Sequence, residues 1–540
     1  MAFKEYNHFD LPKVAEEIIS YWEAEAIFEK SISSREGNPP FVFYEGPPSA
    51  NGMPGIHHVM ARAIKDIFCR YKTQKGYQVK RKAGWDTHGL PVELGVEKEL
   101  GITKDEIGKS LSIEAYNEAC KKAVMRYTDV WNQLTVQMGY WVDMEDPYIT
   151  YKSKYIESVW WLLKQIHEKG LLYKGYTIQP FSPKAGTGLS SHELNQPGTY
   201  QDVTDTTVTA MFETQMDSLP KTLQASDTLY ILAWTTTPWT LPSNTALTVG
   251  PKIDYVVVQT FNQYTHLPIR VLLAKALVGK QLGKKFVEVT TPEALQDYEK
   301  GQKQLPYWIE SEIKGSDLVG IRYQQLWDEA PLPTENPQDA FRVITGDFVT
   351  TEDGTGIVHT APTFGADDAK VALEAQPPVP PLRVEDENGN LVPLVDFQGK
   401  FRKELGPLGG KYVKNEYYSE TEIPEKSVDV EIAIRLKERN RAFKVEKYVH
   451  SYPNCWRTDK PILYYPLDSW FVKMTTVRER MVALNKEINW KPKSTGEGRF
   501  GNWLQNANDW NLSRSRFWGI PLPIWRSEDG KQVKGIGSME

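Results

Sequence analysis

The sequence pattern of this 540-residue chain changes twice, near residue 200 and again near residue 400. Before residue 200, short β-type runs alternate with long helical patterns, which is typical of a parallel sheet covered by helices. From about Tyr200 the β-type runs are separated only by Pro, Gly, Asn and Asp, and helical spacing returns at residues 428–441. An α/β fold interrupted by one inserted β-rich domain explains this order better than four domains in tandem.

The changes of pattern divide the chain into five predicted segments. These are an N-terminal helical segment at 1–40, the first half of the α/β domain at 41–199, the β-rich insertion at 200–400, a connecting segment at 401–470 and the second half of the α/β domain at 471–540. Residues 102–173 are predicted to be mainly helical and to flank the sheet.

Composition narrows the class of protein. The 64 Lys and Arg residues against 70 Asp and Glu give a net charge of −6, so no overall basic field indicates a nucleic-acid partner. With no signal peptide and no run of about 18 apolar residues, the sequence predicts no membrane partner and a cytoplasmic location. Three cysteines, Cys69, Cys120 and Cys455, are too few for a disulfide framework or a four-thiolate zinc site.

The first candidate site lies in residues 44–58, which read YEGPPSANGMPGIHH between a β-type run and a helical pattern. A second β-type run around Tyr77 completes a βαβ unit with a ligand crevice at the strand ends. Gly55 permits close backbone approach, and His57 and His58 at a helix N-terminus can donate to phosphate oxygens. On these residues alone, a capped helix after a Pro-rich turn explains the segment equally well.

The stretch 44–58, followed by GWDTHGLPVE at 84–93, resembles the His-x-Gly-His region of class I aminoacyl-tRNA synthetases, and specifically of the isoleucyl-tRNA synthetases. Later blocks agree with that family in order: YIESVWW at 155–161, LSSHE at 189–193, WTTTPWTLPSN at 234–244, GTGIVHTAP at 354–362, HSYP at 450–453, GRFGNW at 498–503 and SRSRFWGIPLPIW at 513–525. The resemblance covers nearly the whole chain.

The resemblance implies a Rossmann-type catalytic domain that uses ATP and Mg²⁺ to activate isoleucine. By resemblance, His57 and His58 are catalytic, and with Gly55 they bind ATP. Asp86 pairs with the ammonium of isoleucine, while Pro47 and Trp518 line its side-chain pocket. Without the motif, a buried aromatic in a core strand would be the simpler interpretation of Trp518.

Two departures from the family pattern matter. Where relatives have His-x-Gly-His, residues 55–58 read Gly-Ile-His-His, so the first histidine and the glycine have exchanged places. Where many relatives have paired Cys-x-x-Cys elements, this chain retains one thiolate, Cys455, beside Ser182, Ala185 and Thr458. We therefore predict no metal site there, and packing in place of zinc.

The inserted β-rich domain resembles the hydrolytic editing domain of these synthetases, which removes misattached valine. The resemblance implies that Thr235, Thr236 and Thr237 position the ester or the attacking water, that Asp368 binds the ammonium of valine, and that His359 helps to exclude isoleucine. Taken singly, the threonines are better explained as part of a β-strand and Asp368 as a helix start. Their joint occurrence with Gly354-Thr-Gly favours the editing site instead.

The implied macromolecular partner is the isoleucine tRNA, and the expected state is a monomer. The family's phosphate-closing loop and anticodon-binding domain would follow residue 525, so the chain is expected to be a fragment with little isoleucine-dependent ATP–pyrophosphate exchange. A standalone hydrolase of mischarged tRNA, or a tRNA-binding regulatory module, stays open as an alternative. A small-molecule adenylyltransferase is disfavoured because it would not need the blocks at 234–244 and 354–362.

Overall fold

A computed structural model describes residues 5, 8 and 10–540. The described chain forms two compact units: unit 1 comprises residues up to Tyr173 with Trp470–Leu512 and Arg516–Glu540, and unit 2 comprises Lys174–Ser469 with Ser513–Ser515. The predicted segment 1–40 lies partly outside the described residues. The boundaries predicted at 200 and 400 both fall inside unit 2, and the predicted connecting segment 401–470 belongs almost wholly to it.

The elements follow in chain order. Up to residue 173 they are α1 (Leu11–Ala24), α2 (Ile27–Ser33), β1 (Pro40–Tyr44), α3 (Ile56–Gln74), β2 (Gln78–Trp85), α4 (Leu90–Leu100), α5 (Ile113–Val124), α6 (Thr128–Gln137), β3 (Asp143–Ile149) and α7 (Ser153–Glu168). The next strand, β4 (Leu172–Ser182), carries the chain from unit 1 into unit 2.

The elements of unit 2 are mostly strands. They are β5 (Thr187–Gly188), α8 (Ser191–Leu194), β6 (Tyr200–Glu213), β7 (Leu229–Thr235), β8 (Ala246–Val249), β9 (Asp254–Phe261), β10 (Pro268–Ala274), α9 (Val278–Leu282), β11 (Phe286–Glu288), β12 (Leu305–Lys314), β13 (Arg342–Thr345), β14 (Ile357–Thr360), α10 (Ala366–Glu374), β15 (Arg383–Glu385), β16 (Leu391–Pro393), α11 (Val428–Glu438) and β17 (Ala442–Pro453). The return strand is β18 (Leu463–Val472).

The remaining elements are short and belong to unit 1. They are α12 (Arg478–Asn485), α13 (Lys493–Glu497), α14 (Arg499–Gln505), β19 (Trp510–Asn511), β20 (Ile524–Arg526) and β21 (Val533–Gly535).

Unit 1 contains a three-stranded parallel sheet in the order β1-β2-β3. The register pairs Pro40 with Gln78 and Tyr44 with Lys82, and α3 is the crossover between these strands. The predicted βαβ unit is confirmed, although β2 continues through Gly84 to Trp85. The prediction that residues 102–173 are mainly helical is confirmed by α5, α6 and α7. Strand β3 was not predicted, since its Asp-Met-Glu-Asp-Pro sequence carries no β-type pattern; it forms by pairing with β2.

Unit 2 is built on a ten-stranded sheet whose main path is β11-β12-β9-β10-β7-β14-β8-β13, with β6 bridging β7 and β17. The β-type runs predicted from about Tyr200 onward, at Val203 and Val208 and at residues 230–234, 255–260 and 271–273, are confirmed as strands β6, β7, β9 and β10. Both faces of β7 and β10 are buried, which explains why these strands read as continuous apolar runs rather than alternating ones. The predicted α/β fold with a β-rich part is therefore the observed one.

Candidate functional sites in the two units

The loop that follows β1 leads directly into the N-terminus of α3 and carries the two histidines. Gly55 is the N-cap residue in an extended conformation, and its backbone N–H donates to Nδ1 of His58 at 2.9 Å. The side chain of His57 is exposed, and that of His58 is partly buried. The first-turn N–H groups of α3 and both imidazoles therefore border one site that suits an anion.

The hydrogen bond from Gly55 determines the protonation state of His58. Because Nδ1 accepts, the neutral ring carries its proton on Nε2, which is left as a donor. Burial, followed by the nearby His57 and Arg62, lowers the pKa of His58, so the ring is neutral at pH 7. His58 thus presents an N–H donor of fixed tautomer, and its lowered pKa favours the neutral ring.

The exchange of histidine and glycine in residues 55–58 affects the space beside Gly55. A β-carbon added at Gly55 would lie 2.9 Å from Cε1 of His57, so the imidazole of His57 lies over the glycine. The ring centroids of His57 and His58 are 3.8 Å apart. The space beside position 55 is therefore filled by an imidazole that comes from position 57.

Helix α6 and its N-cap residue Tyr127 contact this loop. Trp131 is 1% exposed, its Nε1–H donates to the carbonyl of Gly52 at 2.9 Å, and its ring meets His58 edge-on at 4.7 Å. The backbone N–H of Tyr127 donates to the carbonyl of Ala50 at 3.1 Å. The residue before the Asn51-Gly52 turn and the glycine of the turn are thus held in place by one helix.

The C-terminal end of β2 brings Asp86 beside the same loop. The backbone N–H of Asp86 donates to the carbonyl of Pro48 at 3.0 Å, and its carboxylate is exposed. Pro47, the preceding loop residue, is partly buried. An exposed carboxylate at this strand end is able to pair with an ammonium group of a ligand.

Trp518 lies next to Asp86 in space although 432 positions separate them. Its indole Nε1–H donates to the carbonyl of Thr87 at 2.5 Å. Its backbone N–H and that of Phe517 both donate to Oε1 of Glu93, at 2.9 and 2.8 Å. Trp518 is buried but lies in no strand, so the interpretation of a core-strand aromatic is wrong in that respect.

In unit 2, the threonine series begins at the end of β7. Only Thr235 lies in the strand; Thr236 and Thr237 form the bend before the 3-10 helix Pro238–Ser243. The hydroxyl of Thr237 lies 3.3 Å from that of Thr235 and 3.4 Å from that of Thr240. Because both distances exceed the roughly 2.8 Å of a good O–H···O bond, the hydroxyl of Thr237 is weakly held and can turn towards a ligand. The hydroxyl of Thr235 also accepts the backbone N–H of Thr237 at 3.0 Å.

His359, on β14, is held by a chain of directed hydrogen bonds. The hydroxyl of Tyr323 donates to Oδ1 of Asn244 at 2.7 Å, and Nδ2 of Asn244 lies 2.8 Å from Nδ1 of His359. The amide can only donate there, so the ring proton is on Nε2, which donates to the hydroxyl of Thr240 at 3.0 Å. Thr240 in turn donates to the carbonyl of Thr237 at 2.8 Å.

These hydrogen bonds fix the orientation of His359, and its ring is neutral. Burial lowers the pKa of His359 to about 3, against a small opposing contribution from Thr240. Both ring nitrogens are engaged, so His359 is not available as a proton acceptor.

Asp368 lies in the first turn of α10. Its Oδ2 accepts the backbone N–H of Ala361 at 2.8 Å. Burial raises the pKa of Asp368 to about 6, with a further increase from Asp367 and a decrease from the Ala361 N–H. The side chain is partly exposed, so Oδ1 is available to a ligand.

The structure joins Thr235, Thr237 and His359 through Thr240, and ties Asp368 to the residue that follows β14. Thr236 has no side-chain hydrogen bond among the described residues. Thr240 and Asn244 were part of the block quoted from the sequence, but their roles were not predicted. No sequence motif indicated Tyr323, because only the tertiary fold brings it next to Asn244.

Hydrogen bonds donated by backbone N–H groups stabilise the two segments in which many relatives have paired cysteines. The hydroxyl of Ser182 accepts the backbone N–H of Ala185 at 3.2 Å, and the N–H of Cys455 donates to the carbonyl of Lys460 at 2.8 Å. All three cysteines are free thiols. Within residues 10–540, no group of three or more His, Cys, Asp or Glu side chains is placed to hold a metal ion, and no helix is both long and apolar enough to cross a membrane.

Comparison with known families identifies the family of the chain. The family model of class I tRNA synthetases for I, L, M and V matches residues 17–540. The chain belongs to this family of class I tRNA synthetases.

Individual relatives are more specific. The chain is 61% identical to an isoleucine–tRNA ligase of Cytophaga hutchinsonii over 98% of its own length and 47% of the relative. It is 58% identical to an isoleucine–tRNA ligase of Porphyromonas gingivalis over 100% of its length and 48% of the relative. The chain thus spans about half the length of the curated relatives it matches.

Two of the solved structures similar to the chain are of leucyl enzymes. A LeuRS–tRNA–LeuAMS complex of Agrobacterium radiobacter K84 has 15% identity and a TM-score of 0.30, covering 83% of this chain and 50% of that one. The GlLeuRS-CP1 structure has 15% identity and a TM-score of 0.28, covering 45% of this chain and 99% of that one. The family assignment therefore rests on the family model.

Proposed function

We propose that this chain belongs to an isoleucine–tRNA ligase, in which unit 1 provides the ATP- and isoleucine-binding site and unit 2 hydrolyses valine attached to the isoleucine tRNA. Cytoplasmic location, a monomeric state and Mg²⁺ that arrives on the ATP phosphates are parts of the same proposal. The names of the relatives support the choice of isoleucine.

One observation carries the activation site: a neutral His58 with a fixed Nε2–H donor lies at the start of α3, and the exposed carboxylate of Asp86 lies at the neighbouring strand end. In the proposed reaction the isoleucine carboxylate attacks the α-phosphate of ATP and pyrophosphate leaves. His57, His58 and the α3 N–H groups stabilise the developing phosphate charge. Asp86 holds the ammonium, and Pro47 and Trp518 line the side-chain pocket.

The proposed hydrolytic site compensates for the limited selectivity of the activation site for isoleucine over valine. A pocket built for isoleucine gains only about 1–3 kcal/mol over valine from one methylene, and isoleucine against valine in these synthetases is the standard worked case. A second pocket that admits valine and excludes isoleucine raises the selectivity. In the proposal, Thr235, Thr236 and Thr237 position the ester and water, and the locked ring of His359 is the excluding wall.

Asp368 provides the test. We expect Asp368→Ala to slow the hydrolysis of valyl-tRNA carrying the isoleucine anticodon by about 10–100-fold, because a charge-assisted hydrogen bond to the ammonium contributes roughly 1.5–3 kcal/mol. Asp367→Ala, an exposed residue of the same helix turn, is the matched control and should retain wild-type hydrolysis.

Deacylation rates and thermal melting are measured on the same preparations. If Asp368 only caps the backbone at Ala361, its loss costs about 0.5–2 kcal/mol of stability and leaves hydrolysis unchanged. That second result would remove Asp368 from the proposed site.

A further inference from the structure

A buried carboxylate outside the predicted β-rich segment contacts the hydrolytic pocket. Asp429 lies in the first turn of α11 and is 5% exposed. Its Oδ1 accepts the backbone N–H of Trp239 at 2.9 Å, across 190 positions of sequence. Trp239 belongs to the 3-10 helix Pro238–Ser243, every residue of which is buried.

Burial raises the pKa of Asp429 to about 7, and its surroundings offset only part of the cost of burying the carboxyl group. It lies at the N-terminus of α11, where the helix dipole favours an anion. The ammonium of Lys414, which is 7% exposed, acts on Asp429 electrostatically and is 2.9 Å from Asp205. Asp205 also contacts His450, at 3.2 Å. These residues link α11, β6 and β17 around the carboxyl group of Asp429, which accepts a hydrogen bond from the 3-10 helix.

The 3-10 helix that Asp429 holds borders both halves of the pocket. Thr240, the next residue after Trp239, receives the Nε2–H of His359. The Trp239 ring packs edge-on against Phe364 at 5.1 Å, just before the helix that carries Asp368. A shift of this short helix would therefore move the excluding wall and the start of α10 together.

We propose that Asp429 is a positioning residue of the hydrolytic pocket, and that its hydrogen bond to the Trp239 N–H sets the discrimination between valyl and isoleucyl esters. The inference rests on the proposed hydrolytic function. The two substrates differ by one methylene, so a displacement of the wall by a fraction of an ångström is enough to admit the larger one. The connecting segment after residue 400 thus contributes to the specificity of the inserted domain.

The test uses the 540-residue chain with Asp429→Leu, which removes the acceptor at similar volume, and Asp429→Asn, which keeps an acceptor oxygen. Glu431→Gln is the matched control, since Glu431 is acidic, lies in the same helix turn and pairs with Lys411 instead. Hydrolysis of valyl-tRNA and of isoleucyl-tRNA is measured for each variant, together with backbone hydrogen exchange of residues 237–244.

We expect Asp429→Leu to reduce valyl-tRNA hydrolysis by about 10–100-fold, as misplaced reacting groups do, and to increase the isoleucyl-to-valyl ratio of rates. Asp429→Asn should restore most of both quantities. Hydrogen exchange in residues 237–244 should increase in Asp429→Leu alone. A loss of fold stability by itself would lower both rates equally and leave their ratio unchanged.

An unchanged ratio in folded Asp429→Leu overturns the inference, as does an equal loss in Glu431→Gln. If Asp429→Leu does not fold, Asp429→Glu, which moves the acceptor by one methylene, must change the ratio or the inference fails. If the wild-type chain hydrolyses neither ester, the proposed function fails. Unchanged exchange of residues 237–244 in the variants then refutes the positioning role separately.

Discussion

The two units build their candidate sites from different kinds of groups. In unit 1, backbone N–H groups and two imidazoles at a helix N-terminus border an open site, and much of α3 beyond it is apolar and exposed. Met60, Ile64, Phe68 and Tyr71 are each more than half exposed. In unit 2, a buried chain of side-chain hydrogen bonds runs from Tyr323 to Thr237.

The difference follows from the chemistry of the proposed ligands. A phosphate is recognised by donors and positive potential, which a helix N-terminus supplies without a closed pocket. Excluding one methylene requires a wall that cannot move, and fully satisfied hydrogen bonds between buried side chains provide that rigidity. Three measurements test this contrast, in order of decreasing effect.

The largest effect on stability is expected at Glu93, a buried residue of unit 1. Glu93→Leu leaves the buried N–H groups of Phe517 and Trp518 without an acceptor, which should cost about 3 kcal/mol of local stability. Glu93→Gln keeps one acceptor oxygen and should cost less than half as much. Native-state hydrogen exchange near residues 517–518 gives the value, with Glu99→Gln, an exposed ion-pair residue on the same helix, as the control. Equal effects of Glu93→Leu and Glu99→Gln would contradict the buried role.

The second effect is a pH dependence of unit 2. His359 is neutral when folded, with a pKa of about 3, whereas its unfolded value is 6.5. Below pH 6.5 the unfolded chain takes up the proton, so the contribution of His359 to stability is complete above pH 6.5 and is lost as pH falls towards 3. The loss should approach about 1.4 kcal/mol per pH unit.

Chemical denaturation of the wild type and of His359→Gln at pH 5, 6 and 7 isolates this contribution, because the other groups cancel in the difference. The wild type should lose its advantage over the variant as pH decreases. A difference that is independent of pH would mean that His359 is accessible to protons in the folded state, and the wall would not be rigid.

The smallest effect is expected on the open face of unit 1. Ile64→Gln replaces an exposed apolar side chain by a good helix former and should change stability by less than about 0.5 kcal/mol. Cys69→Ser, on the same helix but 1% exposed, should destabilise measurably more. Denaturation midpoints of both variants decide the point. A loss of more than about 1 kcal/mol in Ile64→Gln would show that this face is covered in solution.

Much of the fold follows from sequence pattern. The βαβ unit around α3 was predictable because a β-type run, a Gly- and Pro-rich turn and a helical pattern follow one another without long-range help. Strand β3 was missed, since its polar residues become a strand only through pairing with β2. The division at residue 400 did not anticipate that 401–469 packs in the same unit as the inserted strands.

The candidate residues divide in the same way. The sequence alone determined the motifs, their order and the family, because Gly55, His57, His58 and Asp86 lie within a short stretch. Tertiary structure decided that the His57 ring lies over Gly55, that the His359 ring is neutral and held by Asn244, and that Glu93 and Asp429 hold Trp518 and Trp239. These contacts join residues more than 100 positions apart in all but the first case. Directed hydrogen bonds of that span depend on burial and geometry, which no local pattern of residues specifies.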